Sequence, residues 1–104
     1  MFKKGLETEM KIMLFLEKQD KEWLKAREIY EPLPIDEQHC RHILIMMFDK
    51  GIVDIKIDHF SETEKSLYSL TDFGVRHKNS EFMTKIRKKV QRDNSKDSEV
   101  TIPF

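Results

Sequence analysis

"SLYSLTDFGVRHKNS", Ser66 to Ser80, is the stretch on which the fold turns. Leu67 to Leu70 is too short and too irregular for an amphipathic helix but suits a short strand. Thr71 is placed to cap a helix that begins at Asp72, its hydroxyl accepting an otherwise unpaired backbone N–H. The stretch therefore reads as a strand that delivers the chain into a helical turn.

The strand before it is equally legible. "IVDIKID" (52–58) alternates, with Val53, Ile55 and Ile57 on an inward face and Asp54, Lys56 and Asp58 outward. "HFSETEKS" is a polar loop, so a β-hairpin spans about Ile52 to Leu70. Upstream, "EQHCRHILIMMFDK" (37–50) has helical spacing, with Asp36 as N-cap and Cys40, Ile43, Leu44, Met47 and Phe48 expected in the core. Gly51 ends it in the left-handed conformation. Glu37, Gln38, Arg41, His42 and Ile45 occupy its other side.

Further upstream, "KAREIYEPL" spaces Ala26, Ile29, Tyr30 and Leu33 as a short amphipathic helix that Pro32 and Pro34 terminate. Trp23-Leu24 is a short strand or an anchor. The first helix runs from about Glu7 to Lys18, with Leu6, Met10 and Met13 on one side and Ile12, Phe15 and Leu16 on another. A helix apolar on two sides needs two burial partners, here the domain core and a second subunit. After Ser80, a cap, "EFMTKIRKKVQR" sets Met83, Ile86 and Val90 opposite its lysines. With no evident intrachain partner for that stripe, Met10, Met13, Met83, Ile86 and Val90 are the expected homodimer contacts. One domain over residues 1–92 and a tail over 93–104 complete the organisation.

Composition narrows the class. In 104 residues, 37% are charged and 38% hydrophobic, enough apolar mass for one modest core. The longest apolar runs, Ile12 to Leu16 and Ile43 to Phe48, are far too short to span a bilayer. No secretory leader is evident in "MFKKGLETEM", and a single cysteine, Cys40, fits a reducing, cytoplasmic setting. The formal net charge is zero, yet it is unevenly placed. Seven Lys/Arg and one acid lie between Arg76 and Arg92, against eleven Lys/Arg and fifteen acids up to Val75.

Taken in order, helix, helix, a helix closing on "FDKGIV", a hairpin and "YSLTDFG" resemble the winged helix-turn-helix superfamily over residues about 7 to 77. The resemblance implies an α+β fold: a three-helix core, a β-hairpin wing and an additional C-terminal helix. It also implies binding to double-stranded DNA, with helix three in the major groove and the wing on backbone or minor groove. At finer grain, size and a Lys/Ile/Glu-rich composition resemble the relaxosome accessory proteins of clostridial conjugative plasmids. That implies a role at an origin of transfer, alongside other relaxosome proteins. A small transcriptional regulator, working with transcription proteins, and a winged-helix protein–protein adaptor are the alternatives.

On that footing the candidate DNA contacts are Gln38, Arg41 and His42 on helix three and Lys56, His59, Ser61, Thr63, Lys65 and Ser66 on the wing. Helix three is weakly basic for such a role, since it also shows Glu37 and Ile45, and this leaves room for a wing-centred mode. The basic run from Lys85 to Arg92 is either a phosphate clamp or the solvent side of its helix. "HCRH" brings His39, Cys40 and His42 close in sequence, but Cys40 falls on the core stripe away from His42, so no metal and no cofactor is expected. Nor does an enzyme constellation emerge: with only Gly5, Gly51 and Gly74 there is no glycine-rich phosphate loop.

Overall fold

A computed structural model describes residues 4–62, 64–81 and 83–91. Helix α1 (Lys4–Glu17) leads through a two-residue strand β1 (Leu24–Lys25) into α2 (Ala26–Tyr30) and α3 (Glu37–Asp49). Strands β2 (Val53–Ile57) and β3 (Ser66–Leu70) form the hairpin, α4 (Asp72–Lys78) follows, and residues 83–91 form a fifth helix, α5. The three strands are antiparallel in the order β1-β3-β2, with Val53 opposite Leu70, Ile55 opposite Tyr68, and Leu24 opposite Tyr68 on the far edge. This is the expected α+β arrangement, and Leu24 belongs to the strand that the Trp23-Leu24 pair suggested.

Local chemistry explains the boundaries. Asp36 caps α3, its carboxylate accepting from the His39 N–H at 3.1 Å. Gly51, at φ 81°, turns the chain out of α3 in a conformation that L side chains avoid. Ser80 Oγ accepts from the Met83 N–H at 3.3 Å and so starts α5. Helix α1 begins earlier than its apolar periodicity suggests because Gly5 already lies against α3, where an added Cβ would sit 3.5 Å from Ile43 Cδ1.

Thr71 does more than cap. Its Oγ1 accepts from the Gly74 N–H at 2.9 Å, and its hydroxyl proton faces the Gly51 and Ile52 carbonyls at 2.6 and 3.0 Å. Its own N–H donates to Ile52 at 3.0 Å. One residue thus ties the end of the wing to the turn where the wing began. Thr71→Ala is expected to cost about 1–2 kcal/mol in urea unfolding, and Thr71→Ser, which keeps the hydroxyl, clearly less. Equal losses for the two variants would mean that the methyl, not the hydroxyl, matters.

The core corrects four expectations. Met10, Met13, Met83, Ile86 and Val90, expected at a dimer interface, are all buried within this one chain, in the same cluster as Ile43, Leu44 and Met47. Helix α1 does have two burial partners, but α5 is the second: Lys89 of α5 donates to Glu7 of α1 at 2.9 Å. Phe48, expected inside, is 45% exposed, because Cys40, Ile43, Leu44 and Met47 already fill the inward stripe and Phe48 lies about 100° round the helix from Met47. Ile57 is exposed as well, at the end of the hairpin's inward face. The expected tail, 93–104, lies outside the described residues.

Candidate nucleic-acid interface

The wing is built to project and to hold its shape. The Asp58 N–H donates to the Lys65 carbonyl at 2.6 Å, closing the strands, and the Asp58 carboxylate accepts from the Phe60 N–H at 3.1 Å. His59, Phe60 and Lys65 are exposed around that turn, and Phe60 at 97% is almost fully so. Lys56 points outward as its alternation predicts, with its ammonium 4.7 Å from the centre of the Trp23 ring. From β1, Lys25 donates to Ser61 Oγ at 3.3 Å. Lys25 of β1 and Trp23 just before it therefore buttress the wing. Ser61 and Ser66 are half-buried, and Thr63 lies outside the described residues.

Helix α3 offers less than its sequence promised. Gln38 and His42 are exposed, but so are Ile45, Met46 and Phe48. Arg41 is committed: Nε donates to Glu37 at 3.1 Å, and Nη2 donates to Glu64 of the wing loop. Its guanidinium also lies 5.9 Å from the centre of the Tyr30 ring. His39 faces α1, where its Nε2 is 3.1 Å from Thr8 Oγ1. Cys40 is fully buried, and burial pushes its thiol up to about 11, which leaves it protonated and unreactive near neutral pH. Among the described residues no three His, Cys, Asp or Glu side chains gather as a metal site would require.

The C-terminal basic run is partly spent inside the molecule. Lys78 is buried and paired with Glu17 at 3.2 Å, Lys89 with Glu7, and Arg87 donates to Asn79 at 2.7 Å. Arg76, Lys85 and Lys88 are the members of that run that face solvent; Arg92 lies outside the described residues.

Solved structures similar to this fold include two bacterial proteins. The adhesin competence repressor AdcR of Streptococcus pyogenes superposes at a TM-score of 0.57 with 13% identity, over 90% of this chain and 60% of that one. The second is a mutant of Lactococcus lactis ZitR in apo form, at a TM-score of 0.54 with 18% identity, over 94% of this chain and 67% of that one. The fold is a winged helix. This chain spans less than two thirds of the AdcR chain, and at such identities the likeness concerns architecture alone. No protein-family model and no curated protein sequence matches it.

Within the winged helix, sequence reasoning placed Lys56, His59 and Lys65 correctly on the projecting hairpin and Gln38 and His42 on the open side of helix three. It missed Trp23 and Lys25 as supports of the wing, Phe60 as its exposed tip, and Glu64 as the partner of Arg41. Strand alternation was signal enough for Lys56, the polar loop for His59 and Lys65, and helical spacing for Gln38 and His42. The supports Trp23 and Lys25 depend on β1 pairing with β3, a contact between segments some forty residues apart, and the Arg41–Glu64 pair on the wing loop meeting α3; no local pattern exists for either.

Proposed function

We propose that this winged helix binds double-stranded DNA mainly through its wing. The observation that carries this reading is the contrast between the two surfaces. The wing presents Lys56, His59 and Lys65 to solvent on a braced hairpin, with Phe60 free at its tip. Helix three presents Ile45 and Phe48, and its one arginine is held by two carboxylates. A hairpin with cations along its sides and an aromatic tip suits phosphate contact with partial insertion into a groove.

The finer role follows the resemblance to the relaxosome accessory protein TcpK in size and composition: recognition of a specific duplex at an origin of plasmid transfer. A small transcriptional regulator is the second reading, favoured by the architectural likeness to the repressor AdcR. An adaptor that docks protein on Ile45 and Phe48 is the reading from outside DNA binding. A homodimer built on exposed apolar side chains would use the same pair together with Phe73, which is also exposed.

Fluorescence anisotropy on one duplex at fixed salt tests the proposal, with alanine at Lys56, His59, Phe60 and Lys65 compared with alanine at Gln38 and His42. Loss of a phosphate-contacting lysine is expected to weaken binding to all sequences and to lower the salt slope by about one. Loss of a base-reading side chain costs roughly 1–3 kcal/mol on the preferred site and little on random DNA. Weakening confined to the helix-three pair would restore the recognition-helix mode, and no binding to any duplex would leave the adaptor reading.

A further inference from the structure

Three side chains from three separate parts of the fold converge on Arg41. Tyr30 comes from α2, Glu37 and Arg41 from α3, and Glu64 from the wing loop 23 positions further along the chain. Tyr30 donates its hydroxyl to Glu37 at 3.3 Å while its ring lies beside the guanidinium, so the cluster fixes the arginine from several directions. The Glu64 side chain is 19% exposed and that of Arg41 37%, so the pair is better shielded from water than an ordinary surface ion pair. Two carboxylates around one guanidinium leave the cluster with an excess negative charge, on the very helix face where a winged helix would meet DNA.

We propose that Glu64 masks Arg41: it occupies the guanidinium in place of a DNA phosphate and so holds down the affinity for duplex of any sequence. The inference rests on the DNA-binding reading above. A guanidinium binds carboxylate and phosphate with the same forked pattern of N–H donors, so the two compete for one set of donors. A ligand takes Arg41 only by displacing Glu64 and leaving that half-shielded carboxylate without its cation. Phosphate repeats along every duplex, so this cost falls on random and selected DNA alike.

The wing acid Glu62 supplies the control. It is exposed and carries the same charge on the same loop, so its loss reproduces the general gain from removing a negative charge near DNA. E64Q and E62Q are compared in wild-type and R41A backgrounds by anisotropy, against random duplex and against a duplex selected from a random pool with the wild-type protein. Glu64→Gln is expected to raise affinity for random duplex by roughly three- to tenfold and to steepen its salt slope by about one. The gain on the selected duplex should be at least as large, because any displacement of Glu64 there is a cost that E64Q no longer carries. Glu62→Gln should do less on both, and the excess of E64Q over E62Q should vanish in R41A. An E64Q protein no tighter than E62Q, or a gain that survives in R41A, overturns the proposal. If K56A still weakens binding in that outcome, the wing-centred reading stands without it; if the wild type binds no duplex, both fall. Unchanged circular dichroism of E64Q confirms that the comparison is made between folded proteins.

Discussion

Lys50→Met is expected to lower unfolding stability by about 2–4 kcal/mol, whereas Glu9→Met, its partner's replacement, stays within about 1 kcal/mol of wild type. The asymmetry comes from where the two charges sit. Glu9 projects from α1 with its side chain only 2% exposed, and Lys50, at the end of α3, reaches it with Nζ 2.8 Å from Oε2. The other carboxylate oxygen, Oε1, is buried without a hydrogen-bond partner. Removing the lysine strands a desolvated carboxylate, the costly way to break such a pair. Removing the glutamate takes away that desolvated group, and Lys50, 42% exposed, can return its ammonium to water. The double variant should match Glu9→Met alone. The estimate for Lys50→Met lies below that for a fully enclosed pair because one partner is half in solvent. Urea denaturation of the three variants decides it, and equal losses from the two single changes would show the pair to be worth its direct attraction and no more.

Gly74→Ala is expected to destabilise by about 3 kcal/mol, against the sign that helix propensity alone gives. Gly74 lies inside α4, where alanine is ordinarily better than glycine by about 1 kcal/mol. Here an added Cβ would fall 2.4 Å from the Ile52 carbonyl oxygen, 2.8 Å from Leu70 Cδ1 and 3.2 Å from Ile52 Cγ2. A leucine methyl can rotate away, but the carbonyl cannot, since it already accepts from the Thr71 N–H. Glycine is thus the condition for α4 to lie flat on the turn that opens the wing. Thermal or urea melts of Gly74→Ala check this, and a variant as stable as wild type would mean that α4 shifts outward at little cost.

The two residues belong to one device. Thr71 binds the Gly51 and Ile52 carbonyls, Gly74 packs on the second of them, and both stand in "LTDFG", the stretch where a strand broke off and a helix began. What first reads as turn chemistry is the clasp that holds the two ends of the hairpin together. The wing's reach, and with it the placement of Lys56 and Lys65, depends on that clasp.

The sequence by itself determined most features that rest on neighbours within a few positions, Phe48 and Ile57 excepted. The caps at Asp36, Thr71 and Ser80, the left-handed exit at Gly51, the inward stripe of Cys40, Ile43, Leu44 and Met47, and the outward aspect of Lys56 all follow from spacing and from the valence of side chains toward nearby backbone. Only the tertiary structure decided which apolar surplus met which, and which charges were spent. Met83, Ile86 and Val90 looked like an interface because a stripe says that a partner is needed but not whose it is; α5 supplied α1 from 82 positions away, as the Lys89–Glu7 pair marks. Arg41 and Glu64, 23 apart, and Glu9 and Lys50, 41 apart, are unremarkable charges in the sequence and paired ones in the fold. An ion pair requires only that two chain ends of a loop meet, and loop closure costs so little more with each added residue that sequence separation carries almost no information about who meets whom.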